Sequence, residues 1–269
     1  MKIFLLLALF ISSISCLANT LVVSDIDDTI KISNVKGPGK LSNAFRTNVI
    51  FKGMAKLYKE ISSNTNTTFA YVSNAPRGIM TGAHQRILDN GKFPQSGSEY
   101  LILRKKRDII FGSNIPHKIK AIRNLVKTIQ PTNLILIGDN GESDIEYYNQ
   151  IEKEYSNKIN IYQFIRVAYY KKAKLKLHQT QFGFVSPIKI ALVLNENNLL
   201  NNEQTKKFSQ MIMSEVVNEV EDNQSNTPKY FPQWIKCNSF KWNINDSLIK
   251  SNLLVQFLNK IENRCNINI

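Results

Sequence analysis

Cysteine is scarce: of 269 residues only Cys16, Cys237 and Cys265 carry a thiol. Neither they nor the three histidines fall at zinc-ligand spacing. Acidic residues are also in deficit, 21 against 35 Lys and Arg, for a formal charge of +14. That balance favours anionic partners such as phosphate esters, acidic lipid headgroups or nucleic acid. It also reads as compositional habit, since Lys, Asn and Ile are abundant throughout. Long apolar runs are missing beyond the first residues, so no later segment is suited to crossing a membrane. The one early run, "IFLLLALFI" after Lys2, is too short to span a bilayer and exits through "CLA" at Cys16–Ala18. It reads as a secretory signal peptide over 1–18, cleaved after Ala18, with lipid anchoring at Cys16 as the alternative. The expectation is an exported protein, periplasmic or secreted, in which Cys237 and Cys265 are free to form a disulfide. No internal repeat is apparent and no low-complexity tract is long enough to suggest disorder; a helix-turn-helix pattern and an RNA-binding signature are absent, which disfavours nucleic acid.

What is present is alternation. Short apolar runs at Leu21–Ile26, Thr68–Ser73, Tyr100–Leu103, Leu134–Gly138 and Ile159–Val167 read as strands. Between them, Gly53–Ser62, Gly78–Asn90, Lys118–Gln130 and Ser143–Tyr155 carry helical periodicity. Gly91 and Pro131 supply helix ends. Strands apolar throughout and separated by helices imply a parallel sheet covered on both faces, a doubly wound, Rossmann-like α/β domain over 19–170. From 171 to 269 the pattern predicts a mainly helical C-terminal extension, interrupted by the polar stretch Glu221–Pro232.

Ligands of open α/β sheets bind beyond the carboxyl ends of the strands. There the sequence places Asp25, Asp27 and Asp28 in "SDIDDT", Ser73-Asn74, and Asp139 with Asp144 in "GDNGESD". Lys118 and Lys120 follow in "HKIK". Each motif alone has an ordinary reading, a turn for the aspartates or a helix cap for Asp144. Carboxylates from separate segments tolerate crowding when a divalent cation sits among them, and hard oxygen donors favour Mg²⁺.

D-x-D-x-T after a strand, "YVSN", a helical Lys and G-D-x-x-x-x-D after another strand, in that order, resemble the four motifs of the haloacid dehalogenase superfamily. "DIDDTIKIS", "YVSNAP", "FPQSG", "LILR", "HK" and "LIGDNGESDIEYY" together resemble the catalytic domain of the actin-patch phosphatidate phosphatases and their bacterial relatives, over Leu21–Ala168. Departures are Asn140 where Ser is expected, Arg77 where an aromatic is commoner, and the export signal. The resemblance implies a Mg²⁺-dependent phosphohydrolase in which Asp25 is the nucleophile and Asp27 the general acid and base. Thr29, Ser73 and Asn74 would bind phosphate, and Lys118, preferred to Lys120, would neutralise its charge. Asp25, the Asp27 carbonyl, Asp139 and Asp144 would form the metal site. The implied substrate is a phosphomonoester, with phosphatidate at a membrane surface the family-derived case.

Only about twenty residues separate the first motif from the first long helix, which leaves no room for a large cap domain. The segment Lys31–Arg46 reads as a mobile flap whose Lys31, Lys36, Lys40 and Arg46 steer an anion inward. Asp28 reads as solvent-facing or supporting, and His84 and His178 as ordinary packing or surface residues. Two other functions stay open on sequence: a non-catalytic anion-binding protein, and a phosphotransferase using the same residues.

Overall fold

The structure is a computed structural model that describes residues 19–64, 66–112, 115–169, 176–220, 227–238, 240–242 and 247–265. The expected signal peptide at 1–18, and most of the Lys171–Lys176 run, lie outside the described residues.

Among the described residues, six strands form one parallel sheet: β1 (Asn19–Ser24), β2 (Asn66–Pro76), β3 (Leu101–Arg104), β4 (Asn133–Asp139), β5 (Asn160–Arg166) and β6 (Gln181–Phe184). Their order is 3-2-1-4-5-6, so the winding reverses between β1 and β4. The helices are α1 (Lys40–Ala44), α2 (Met54–Asn64), α3 (Arg77–Gly91), α4 (Lys106–Ile110), α5 (His117–Ile129), α6 (Asp144–Tyr155), α7 (Pro187–Glu196), α8 (Asn202–Val217) and α9 (Asn252–Cys265).

Successive strand side chains point to opposite faces. Leu21, Val23, Leu134 and Leu136 therefore meet α5 and α6 through Ile122, Leu125 and Ile151. Val22, Phe69, Ile135 and Ile137 face the other way, onto a larger core with Leu57 of α2, Leu192 of α7, Ile212 of α8 and Phe257 of α9. Each fully buried Leu or Ile contributes about 1.5–3 kcal/mol. The doubly wound α/β architecture read from the sequence is the one observed, with a helical C-terminal part.

β6 falls inside the stretch expected to be helical. Its four residues, "QFGF", pair with β5 and extend the sheet by one strand. α7 follows, its first turn capped by Ser186 accepting from the Ile188 N–H with Pro187 next to it. Every residue from Pro187 to Leu194 is buried, as befits a helix held between the sheet and α8. Cys237 and Cys265 form a disulfide.

Candidate active site

Asp25 lies one residue past β1, and its N–H donates to Ile137 O of β4 at 2.8 Å. Asp139 closes β4 and Asp144 opens α6. The switch point of the sheet thus gathers Asp25, Asp139 and Asp144, buried, each with a carboxylate oxygen within 4.8 Å of the others'. Gly138 makes this approach tolerable: a Cβ there would stand 2.3 Å from Asp144 Oδ2. Lys118, buried at the first turn of α5, places Nζ 2.9 Å from Asp25 and 2.6 Å from Asp144. The Thr29 hydroxyl sits between Asp25 Oδ2 at 3.3 Å and Asp139 Oδ2 at 3.5 Å.

The electrostatics follow from that crowding. Burial pushes the Asp25 carboxyl well up; Lys118 opposes this, and Asp144 and Glu142 reinforce it. Asp139 is also pushed well up, by burial and by Asp25, Asp144 and Asp28. Burial alone would lower Lys118, but Asp144 and Asp25 hold its ammonium charged. Among the described residues no cation lies within ion-pair distance of Asp139. An all-oxygen, incompletely neutralised set of this kind fits a hard divalent cation, which would be held by Asp25, Asp139 and Asp144.

Asp27 is placed differently from its neighbours. Its carboxylate accepts from Lys31 Nζ and Ser33 Oγ, and stands 3.1 Å from His84 Nε2, out of line for a hydrogen bond. Burial would raise its pKa; His84, Lys31 and Ser33 outweigh burial and hold it below the usual carboxylate range. The Asp27 carboxylate is therefore not one of the three that cluster, and any part it takes in a metal site falls to its main-chain carbonyl. Lys31 cannot steer solvent anions as the flap reading expects, because it is fully buried against Asp27 and also donates to Ala44 O.

Asp28 is fully buried, not solvent-facing. Its backbone adopts φ +57°, and its carboxylate accepts the N–H groups of Ser33, Asn34 and Val35. That ties down the base of the Lys31–Arg46 segment. The Tyr169 hydroxyl also donates to Asp28, and its ring stacks 5.2 Å from Trp234. Asn140, the departure noted above, braces Tyr169 from below, accepting from the N–H groups of Ala168 and Tyr169. Arg166 is buried between Phe51 and Phe184 and donates to Thr29 O and Val185 O. Burial lowers its pKa to about 9.

Ser73 is buried near the end of β2, its hydroxyl accepting from Ala75 N–H at 3.1 Å. Asn74 donates to Glu142 at 2.8 Å, and Glu142 lies 3.8 Å from Lys118. Lys120 is exposed and lines an outer cleft with His117. Sequence reading did not anticipate His84, Arg166 or Tyr169 near the site, and it placed Lys31 there as a steering cation rather than as the ion-pair partner of Asp27. His84 was read as an ordinary packing or surface residue.

A carboxylate cluster at the switch point of a doubly wound sheet defines an α/β domain with three oxygen donors that could hold a cation and an adjoining lysine. The chain belongs to the family described as "Phosphatidate phosphatase APP1, catalytic domain", whose model matches residues 20–167. It is 32% identical over 147 residues to Phosphatidate phosphatase APP1 of Saccharomyces cerevisiae, covering 51% of this chain and 24% of that protein. It is 27% identical over 139 residues to an uncharacterized protein of Schizosaccharomyces pombe, covering 48% of this chain and 22% of that one. The aligned segment thus amounts to less than a quarter of each of these curated relatives.

Proposed function

We propose that the protein is an exported, Mg²⁺-dependent phosphohydrolase that cleaves phosphomonoesters through an aspartyl-phosphate on Asp25, with phosphatidate as substrate. The observation that carries this reading is the meeting of Asp25, Asp139 and Asp144 around Lys118 at the carboxyl edge of the sheet. Membership of the phosphatidate phosphatase catalytic-domain family supports both the reaction and the lipid class.

In this reading an Asp25 oxygen attacks phosphorus and the bond to the leaving alcohol breaks, splitting one hard displacement into two easier ones. Asp27 gives its proton to the departing alkoxide, then takes a proton from the water that attacks the phosphoenzyme and regenerates Asp25. Its present cradle favours the ionised form, suited to the second step. The first requires the incoming phosphate's negative charge to push the carboxyl back up. Lys118 balances charge on the phosphoryl oxygens, while Thr29, Ser73 and Asn74 offer hydrogen bonds. Asp25, the Asp27 carbonyl, Asp139 and Asp144 would hold Mg²⁺, which would supply charge screening between the two anions. The apolar leader sequence and the Cys237–Cys265 disulfide support export to a periplasmic or external space.

The test is phosphate release from phosphatidate, lysophosphatidate, nucleotides and sugar phosphates, with Mg²⁺ and with chelator. Mg²⁺-dependent release from phosphatidate is expected, reduced by roughly three orders of magnitude in Asp25→Asn. Turnover of small soluble esters alone would remove the lipid substrate. Anion binding without turnover of any ester would refute hydrolysis.

A further inference from the structure

Large apolar side chains are unevenly exposed. Among the described residues, Ile109, Ile110, Phe111 and Ile115 are all exposed within one stretch, with Ile110 at 60% and Phe111 at 81%. The same stretch presents Lys105, Lys106 and Arg107 to solvent. A merely solvated basic face has no reason to carry an almost bare phenylalanine at its tip. A block of cationic groups followed directly by large apolar groups at one exposed turn is the chemistry of the bilayer interface, where the rings and branched chains enter the headgroup boundary while ammonium and guanidinium groups meet lipid phosphate.

Position gives this turn a use. β3 runs parallel to its neighbours, so Arg104 ends on the same edge of the sheet as Asp25 and Asp139. α4 leaves from that edge, and the chain then enters α5, whose second residue is Lys118. Between α4, the start of α3 and the start of α5 lies a cleft of about 270 Å³. Arg77, Lys105, Arg107 and Lys120 line it, against Glu99 and Asp108. The surplus of cations suits an anionic surface.

We propose that α4 and Phe111 form a docking surface for an anionic phospholipid bilayer, holding the carboxyl edge of the sheet against the membrane. The occupant is the bilayer rather than a protein, because charge complementarity and apolar exposure coincide on a short protruding turn and not on a broad flat face. This rests on the reading of the site as a lipid phosphomonoesterase, but the two are separable by experiment.

The test is co-sedimentation of the full chain with phosphatidylcholine vesicles, with and without phosphatidylserine, lipids that are not its proposed substrate. The chain should bind the anionic vesicles, and more weakly as salt rises. Ile110→Ser with Phe111→Ser, and separately Lys105→Glu with Arg107→Glu, should each weaken binding about tenfold or more. The serine pair should keep the wild-type melting temperature, showing that it folds. Absence of vesicle binding, or binding unchanged in both pairs, overturns the proposal. So does a sedimentation-velocity dimer that the serine pair dissolves, since a second copy would then cover the face. Vesicle binding that follows the predicted pattern without hydrolysis of any ester supports the docking surface and sinks the phosphatase reading alone.

Discussion

Asp25 and Asp139 carry pKa values raised by burial and by their carboxylate neighbours. A carboxyl raised above its ordinary 3.8 adds stability below that pH, and this is lost as pH rises through the folded-state value. The metal-free chain therefore bears a growing electrostatic cost as these groups ionise, and a divalent cation relieves it. Mg²⁺ should raise Tm more at about pH 7.5 than at about pH 5, and the increment should shrink in Asp139→Asn. Equal increments at both pH values, or one untouched by the substitution, would speak against this cluster as the cation site. At this scale the sequence was legible where chemistry is packed into short strings: Asp25 from "DIDDT", Asp139 and Asp144 from "GDNGESD", and Lys118 lie together, while the Asp27 carboxylate lies apart from them. It was illegible where the partner is distant in the chain. His84 reaches Asp27 from α3, and Arg166 reaches Thr29 from β5, without any local periodicity to announce them.

Elements were legible in proportion to their length and regularity. The strand read as Leu134–Gly138 is Asn133–Asp139, and the helix read as Lys118–Gln130 is His117–Ile129. β6 escaped because four residues containing a glycine show no period, and only pairing with β5 makes "QFGF" a strand. The junction of β4 with α6 carries a sharper constraint. Gly138 allows Asp144 to lie across the strand end, so Gly138→Ala forces the carboxylate or the strand to move. It should cost about 1–3 kcal/mol in denaturant unfolding and abolish most of the Mg²⁺-dependent gain in Tm. Retention of both would show that Asp144 does not depend on this packing.

Across the whole molecule, residues on both sides of position 170 share one core, in which Phe164 and Ile137 pack with Ile188, Phe208 and Phe257. The C-terminal part also reaches the site, through Trp234 on Tyr169 and Tyr169 on Asp28. Its helices were legible as helices; that they complete the catalytic-family core was not, because amphipathic faces do not name their partners. The Cys237–Cys265 bridge closes a separation of 28 residues on this part, a constraint of about 3.6 kcal/mol. Reduction should lower Tm by roughly 5–10 °C, and an unchanged melting curve would show that the bridge contributes nothing. Rapid acid quench of turnover with a ³²P-labelled phosphomonoester addresses the central claim most directly. Label should appear, only with Mg²⁺, on the peptide containing Asp25, be released by hydroxylamine, and be absent from Asp25→Asn. Brisk turnover with no labelled protein, or label on another residue, would contradict it.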